Sequence, residues 1–369
     1  MTCNNATNIF LLGLASSMKT DIRTTSIDQQ NIMTFAYVFS VTLMVTFGII
    51  SNVISIDTFR QTSIRSTTVG IYLLTYSCCS LFGLIMLVCR LFQLIDSLTY
   101  LPFFFICNII SGLASIFTRI CLWLNGFTAF QRSLLAFEPN YIINKLRSRS
   151  IALKQIFCII ILIFLMHIHE LICRVTLPDP VAPGKFVCQI KYPNALLILN
   201  QIFSTLHIFI PFFLHLLSTC LILTSISRRR ALLHRTTYWK QWIKEFHTHS
   251  HLFVAPIIAM VCTLPQLVLS LKYSCVDISI KWLLRLNTSA NLIIYIPQSI
   301  TFFLFIYYSE VYFRTFRNES IFGKLLCLKR NTNNKIFPLT ATHTQLNNET
   351  KLRSKMATNK SHDNKNTQT

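Results

Sequence analysis

Glycine and acidic side chains are what this sequence has least of. Eight glycines are scattered over 369 residues and no two lie close together. That spacing excludes the glycine-rich loops that cradle phosphates and dinucleotides. Asp and Glu total 13 against 34 Lys and Arg, a net charge of +21. No His-Glu-x-x-His, no Gly-x-Ser-x-Gly and no carboxylate pair occurs in an apolar stretch, so the chain does not read as an intramembrane enzyme. Charged residues of all kinds are only 13%, about half of the ~25% that keeps a soluble protein of this size wet. The excess of base does not point to nucleic acid either. Lys and Arg fall between and after apolar runs instead of interleaving with aromatics on one domain.

What is present is apolar: 52% hydrophobic residues, 30 of them Phe, and a mean hydropathy of +0.51. A membrane helix needs about 20 predominantly apolar residues. Seven stretches reach that length: Ile32–Ile56, Val69–Cys89, Leu101–Phe130, Ile151–Ile172, Ala195–Ile226, His251–Leu271 and Trp282–Tyr308. Barrel strands would be about 10 residues long and strictly alternating, which these are not. The expectation is an all-α membrane protein: a seven-transmembrane helix bundle over residues 32–308, preceded by an exposed N-terminus at 1–31. The run Ile9–Ala15 has no positive charge ahead of it and so does not read as a signal peptide. A short amphipathic helix on the membrane surface is expected over 309–330. The Asn-, Thr- and Lys-rich tail at 331–369 buries too little to order itself.

Basic residues set the orientation. With the N-terminus outside, 24 Lys and Arg fall on the inner side and 9 on the outer. This orientation puts the sequon at Asn5 outside, where it can be glycosylated, and Cys327 inside, where palmitate or a free thiol are both compatible with it. Arg228, Arg229, Arg230, Arg235, Lys240 and Lys244 make the third inner loop strongly positive, which suits anionic lipid or a protein partner equally. Of the 13 cysteines, seven fall within spans and act as small hydrophobes. Cys107 opens the third span and Cys188 lies in the next outer loop, so a disulfide tying that loop over the bundle is expected. Cys3 and Cys275 are a possible second pair. His247, His249 and His251 read as solvated, and His167 and His169 as pocket or packing residues. No metal and no cofactor is expected.

The order of features resembles the rhodopsin-like (class A) G-protein-coupled receptors from Ile32 to about Cys327. The pieces are Gly48-Ile-Ile-Ser-Asn52-Val53, Ile71-Tyr72-Leu73-Leu74, Cys107, Gln131-Arg132-Ser133, Cys188, Pro211, Cys262-Thr263-Leu264-Pro265 and Phe313-Arg314. Twenty-five residues separate Cys107 from Arg132, the family's distance. Within the family the nearest resemblance, through Gln298-Ser299-Ile300-Thr301-Phe302-Phe303-Leu304, is to invertebrate peptide-receptor-like chains of the FMRFamide type. The resemblance implies a receptor that binds an extracellular ligand between the outer helix halves and activates a heterotrimeric G protein from the plasma membrane.

The departures carry information of their own. Gln131 replaces the acid that would restrain Arg132, Ser80 replaces a buried aspartate, and Thr263 replaces a tryptophan. The Asn-Pro-x-x-Tyr motif aligns with Thr301 to Phe305, with Ile296-Pro297 five residues earlier as the source of a kink. The switch set implied by the family is Arg132, Gln131, Pro265, Thr301 and Phe305. Ala114 stands where amine receptors have an aspartate and Tyr295 where opsins have a lysine, which leaves a peptide as the expected ligand. Arg90, Arg119, Ala114, Glu170, His207 and Tyr295 are the candidate ligand contacts. An arginine at bilayer depth costs at least ~2.5 kcal/mol and therefore wants a partner inside the bundle. Arg90 and Arg119 either read an acidic or hydrogen-bonding group of the ligand, or Arg90 snorkels to the outer interface and Arg119 bonds backbone carbonyls. Pro211 and Pro265 are expected to kink their helices, and Asn52 and Asn125 to bond across helices. The competing class is a transporter or channel. It calls for internal repeats or paired midplane charges; no repeat is found, and an odd number of spans does not divide in two.

Overall fold

The computed structural model describes residues 14–94, 105–136, 145–146, 148–178, 186–248, 250–272 and 281–326. Asn5, Cys3, Cys275, His249, Cys327 and the tail 331–369 lie outside them. Eleven helices are labelled here in chain order: α1 (Leu14–Thr24), α2 (Ile27–Phe59), α3 (Thr68–Leu94), α4 (Ser111–Ala136), α5 (Arg149–Ile172), α6 (Asn194–His234), α7 (Tyr238–Thr248), α8 (Val254–Lys272), α9 (Lys281–Ile293), α10 (Glu310–Glu319) and α11 (Ile321–Leu326). A two-stranded antiparallel hairpin, β1 (Arg174–Pro178) with β2 (Phe186–Ile190), joins α5 to α6 with Thr176 opposite Cys188.

Among the described residues five helices are long and apolar enough to cross a membrane, namely Ile27–Phe59, Thr68–Phe92, Cys107–Leu134, Arg149–Ile172 and Ala195–Leu233; Val254–Leu269 is a shorter apolar helix. Their faces are inverted relative to a soluble protein. On α2 the exposed stripe is Phe35, Phe39, Leu43, Phe47 and Ile50, while Gly48, Ser51, Asn52 and Ser55 point inward. On α6 Ile202, Leu206, Ile210, Phe213 and Leu217 are exposed, whereas His207, His215, Ser218 and Thr219 are buried. Water would reverse that choice, because burying a large apolar side chain is worth about 1.5–3 kcal/mol. Lipid removes the incentive and leaves small and polar residues to make the helix contacts. These helices are those of a membrane-embedded protein.

Three features depart from the expected layout. The N-terminal segment is not simply exposed: α1 is a helix with Leu14, Ala15, Ser16, Ser17, Met18, Thr20 and Asp21 all buried, packed on α2, α3, α9 and β2. Second, the basic run Arg228–Arg230 is not in a loop, because α6 continues past it to His234. The chain then turns at Arg235, which adopts a left-handed φ of 50°, and returns as α7. Arg230 reaches the wholly buried Glu245 of α7 at 2.7 Å. Third, the stretch Trp282–Tyr308 is broken. After α9 comes a turn, a short helix Ile296–Ser299 with Pro297 inside it, and a π-helix Phe302–Tyr307. Its loosened backbone groups find partners on α2: Asn52 Nδ2 donates to Gln298 O at 2.7 Å, and Phe302 N donates to Ser51 Oγ at 2.9 Å. Irregular backbone survives in a membrane only when neighbours satisfy it in this way. The expected interhelical bond of Asn52 is thus present.

After the π-helix, the stretch expected to lie on the membrane surface is helical, as α10 and α11. Asp57, at the foot of α2, accepts hydrogen bonds from Ile321 N at 2.7 Å and Phe322 N at 3.2 Å, which fixes the start of α11.

Candidate functional site

Two polar assemblies lie within the bundle, one toward the end bearing the hairpin and one toward the end bearing α10. The disulfide Cys107–Cys188 anchors the first, with a Cα–Cα separation of 5.4 Å. Cys107 lies in a π-helical turn, Ile106–Ile110, that leads into α4, and Cys188 N donates to Ser16 Oγ of α1 at 2.9 Å. The bridge therefore holds hairpin, α4 and α1 at one place.

Beneath the hairpin, α4, α5 and α6 bring polar groups together. Ser115, Arg119 and Trp123 follow each other at four-residue spacing and so share a face of α4. Glu170 of α5 is ion-paired with Arg174 of β1 and lies 3.3 Å from His167 Nδ1. Ser115 Oγ donates to the same carboxylate at 3.3 Å. His207 of α6 accepts at Nδ1 from Trp123 Nε1 at 2.8 Å, and its ring lies 4.8 Å from that of His167. His169 stands beside Tyr192 at 5.6 Å and Phe203 at 6.2 Å. Burial, and after it the Glu170 carboxylate, push the Tyr192 phenol up from its ordinary value, so the hydroxyl stays neutral. Arg119 is an electrostatic neighbour of Glu170, His167 and His207. No hydrogen bond or ion pair to it occurs among the described residues, and its Nε is buried without a partner.

Of the six candidate ligand contacts, the fold gathers Arg119, Glu170 and His207. Arg90 and Tyr295 form a second pair. Arg90 Nη1 donates to Tyr295 OH at 3.3 Å, and its Nη2 to Ser111 O at 2.6 Å, so the arginine is buried and bonded within the fold, whereas Arg119 does not show the carbonyl bonds expected of it. Ala114 is wholly buried. Glu170 is ion-paired with Arg174 of β1 and leaves Arg90 and Arg119 to other partners. Trp123, Arg174 and Tyr192 escaped sequence reasoning. Of these only Trp123 left a signal, four residues after Arg119.

At the other end a cavity of about 250 Å³ is lined by residues of α4, α6, α8, the π-helix and α10, among them Asn125, Arg132, His215, Phe305 and Tyr312. The guanidinium of Arg132 sits over the Tyr312 ring, 5.9 Å from its centroid. Gln131 turns away from it: wholly buried, it donates from Nε2 to Gln155 Oε1 at 3.0 Å, and Tyr72 OH donates to the same oxygen at 2.8 Å. Phe305 packs edge-on against Tyr76 at 5.1 Å. Thr301 bonds Gln298 O at 2.8 Å, and neither it nor Pro265 lines the cavity. Pro265 and Pro211 both sit inside continuous helices, α8 and α6. Asn125 departs from expectation, since its Oδ1 is buried with no partner. Ser80 lies 3.4 Å from Cys121 Sγ. Among the described residues no group of three or more His, Cys, Asp or Glu is placed to hold a metal ion.

The arrangement offers a cluster of buried hydrogen-bonding groups at one end, called here the outer chamber, and an arginine-bearing cavity at the other, with α4 contributing to both. Neither protein-family models nor curated proteins give a match to this sequence.

Proposed function

We propose that the chain is a rhodopsin-like G-protein-coupled receptor of the plasma membrane, with its N-terminus outside and a peptide as its extracellular ligand. In this reading α8 is the sixth span and the broken stretch from α9 through the π-helix is the seventh. Nineteen residues in α8, at 1.5 Å each, give about 28 Å, the thickness of a bilayer's hydrocarbon core. The observation that carries the reading is the cavity holding Arg132. It has a mixed polar and apolar lining suited to the tip of a partner's helix, and among the described residues Arg132 is held there by an aromatic contact and by no carboxylate. Such a contact is worth about 0.5–2 kcal/mol, weak enough to be exchanged for carbonyls of an incoming helix. The disulfide belongs to an oxidising compartment, which supports the outside position of the hairpin and of α1. The chain acts by shifting between two packings and is not itself an enzyme.

The test is nucleotide exchange on heterotrimeric G proteins in membranes carrying the full chain. Arg132→Ala should reach the membrane in normal amount and lose exchange. Exchange at wild-type rate in that variant would overturn the assignment of the inner cavity.

A further inference from the structure

The outer chamber holds more positive than negative charge. Arg90, Arg119 and Arg174 surround a single carboxylate, Glu170, among the described residues. Arg90 is engaged by a carbonyl and a phenol, and Arg174 by Glu170. Arg119 alone is left over. A guanidinium in a low-dielectric interior is expensive unless an anion or several acceptors face it. Here the Glu170 carboxylate acts on Arg119 only from a distance and is already paired with Arg174, and none of the described residues is hydrogen-bonded to Arg119.

The histidines sharpen the picture. His207 Nδ1 accepts the indole N–H of Trp123, so the neutral ring must carry its proton on Nε2. That Nε2–H is buried and has no acceptor. His167 faces a carboxylate through Nδ1, which places its proton there and leaves Nε2 as a free lone pair, also buried and unpartnered. Two donors without acceptors, Arg119 Nε–H and His207 Nε2–H, thus belong to neighbouring side chains on facing helices. A metal does not answer this arrangement, because His207 presents a proton and no lone pair toward the gap. A neutral amide would meet the donors but leave the charge uncompensated. The surroundings, Trp123, Phe203 and Tyr192, are aromatic.

We infer that the outer chamber binds a carboxylate borne on an apolar or aromatic body, with Arg119 as its counter-ion and His207 as its second donor. The inference rests on the receptor reading and names the ligand chemistry of its site. One carboxylate oxygen accepts from Arg119, the other from His207, and the aromatic groups cover the attached apolar part. Charge-assisted bonds of this kind are roughly twice as strong as neutral ones, and the planar fork of arginine is what lysine does not reproduce. The carboxylate has two sources of the same chemistry, the free C-terminus of a peptide or a free aryl or fatty acid.

The experiment uses the full chain, purified and placed in neutral phosphatidylcholine nanodiscs, with thermal unfolding as readout. The probes are N-acetyl-phenylalanine, N-acetyl-phenylalaninamide and 4-phenylbutyrate, with sodium chloride titrated separately against sodium methanesulfonate. At least one acid should raise the unfolding temperature saturably, and the neutral amide should not at equal concentration. The more effective acid identifies the source, peptide terminus or free acid. Arg119→Gln should abolish the shift, and Arg119→Lys should weaken apparent affinity roughly tenfold. The inference is overturned if the amide matches its acid, if the shift survives in Arg119→Gln, or if chloride alone reproduces it. Should Arg119→Gln fail to fold, acid against amide on the unmodified chain still decides. No G protein is present, so a failure here and a failure of nucleotide exchange are separate results.

Discussion

Replacing Asp21 by Ala tests how α1 is held against the bundle. Asp21 is wholly buried and accepts hydrogen bonds from Tyr37 OH at 2.7 Å and Arg285 Nε at 3.1 Å. Arg285 Nη2 also donates to Thr25 Oγ1 at 3.2 Å. Removing one member of a fully buried ion pair costs about 3–5 kcal/mol. That figure is too large here, because the Arg285 side chain is 46% exposed and can turn to water. What remains is the Tyr37 hydroxyl stripped of its partner, about 1–3 kcal/mol, with a screened ion-pair contribution on top. A net loss of about 2 kcal/mol makes undocking of α1 roughly 30-fold more favourable. The loss should be local, since the side-chain partners of Asp21 among the described residues lie on α2 and α9, where α1 docks. Hydrogen exchange read by mass spectrometry on peptides covering residues 14–24 measures it directly. Asp21→Asn, which keeps an acceptor for Tyr37 but drops the charge, should fall between wild type and Asp21→Ala. Unchanged protection of α1 in Asp21→Ala would refute the reasoning, as would an equal loss of protection throughout α4 and α5.

Gly126→Ala should lower the unfolding temperature of the full chain. A Cβ there would sit 3.0 Å from Pro211 O and 3.1 Å from Pro211 Cα, and backbone atoms yield less than side chains, so about 1–3 kcal/mol of overpacking is expected. Asp57→Ala removes the acceptor for two backbone N–H groups at the start of α11 and should loosen residues 321–326 by about 1 kcal/mol, read as faster hydrogen exchange confined to α10 and α11. Tyr312→Leu removes the ring beneath Arg132. Under the receptor reading, nucleotide exchange without added ligand should rise severalfold, and exchange at the wild-type basal rate would count against a restraining role for that contact.

The long apolar helices were legible because each obeys a single local rule, enough consecutive apolar residues to reach across hydrocarbon. The disulfide was legible for a related reason: Cys107 opens one span and Cys188 sits in the next outer loop, so both fall at the same end of the bundle. The rest depended on partners far along the chain. α1 is polar at Ser16, Ser17, Thr20 and Asp21, and such a segment reads as solvent-exposed until Arg285, 264 residues away, is placed beside Asp21. The π-helix after Pro297 is stabilised by Ser51, 251 residues before Phe302. Arg228–Arg230 marked the end of an apolar run and was taken for the end of a helix. Arginine is a good helix former, and nothing in that run stops α6 before the left-handed turn at Arg235. In the outer chamber the misfit of Arg119 was visible as a charge in an apolar stretch. Its isolation was not, because it follows from Arg174 capturing Glu170, and Arg174 is positioned by the hairpin.

α4 and α6 are the two elements that line both assemblies, and this pairing gives the geometry its mechanical sense. Arg119 and His207 belong to the outer chamber, Arg132 and His215 to the inner cavity, and each pair takes one residue from each helix. Thirteen residues of α4 separate Arg119 from Arg132, about 20 Å along a continuous helix. Between them a Cβ on Gly126 would sit only 3.0 Å from Pro211 O and 3.1 Å from Pro211 Cα, so the two helices approach closely at that level and have adjustable side chains above and below it. Packed cores respond to a local pull by switching between discrete arrangements, not by stretching. An anion drawing Arg119 and His207 together acts on one side of that contact, and the cavity holding Arg132 lies on the other. Under the receptor reading, the Arg132–Tyr312 contact serves as a weak resting restraint: an ion pair in its place would oppose the pull with a buried charge, whereas an aromatic face gives way at about 0.5–2 kcal/mol, within what one charge-assisted ligand contact supplies at the far end of α4.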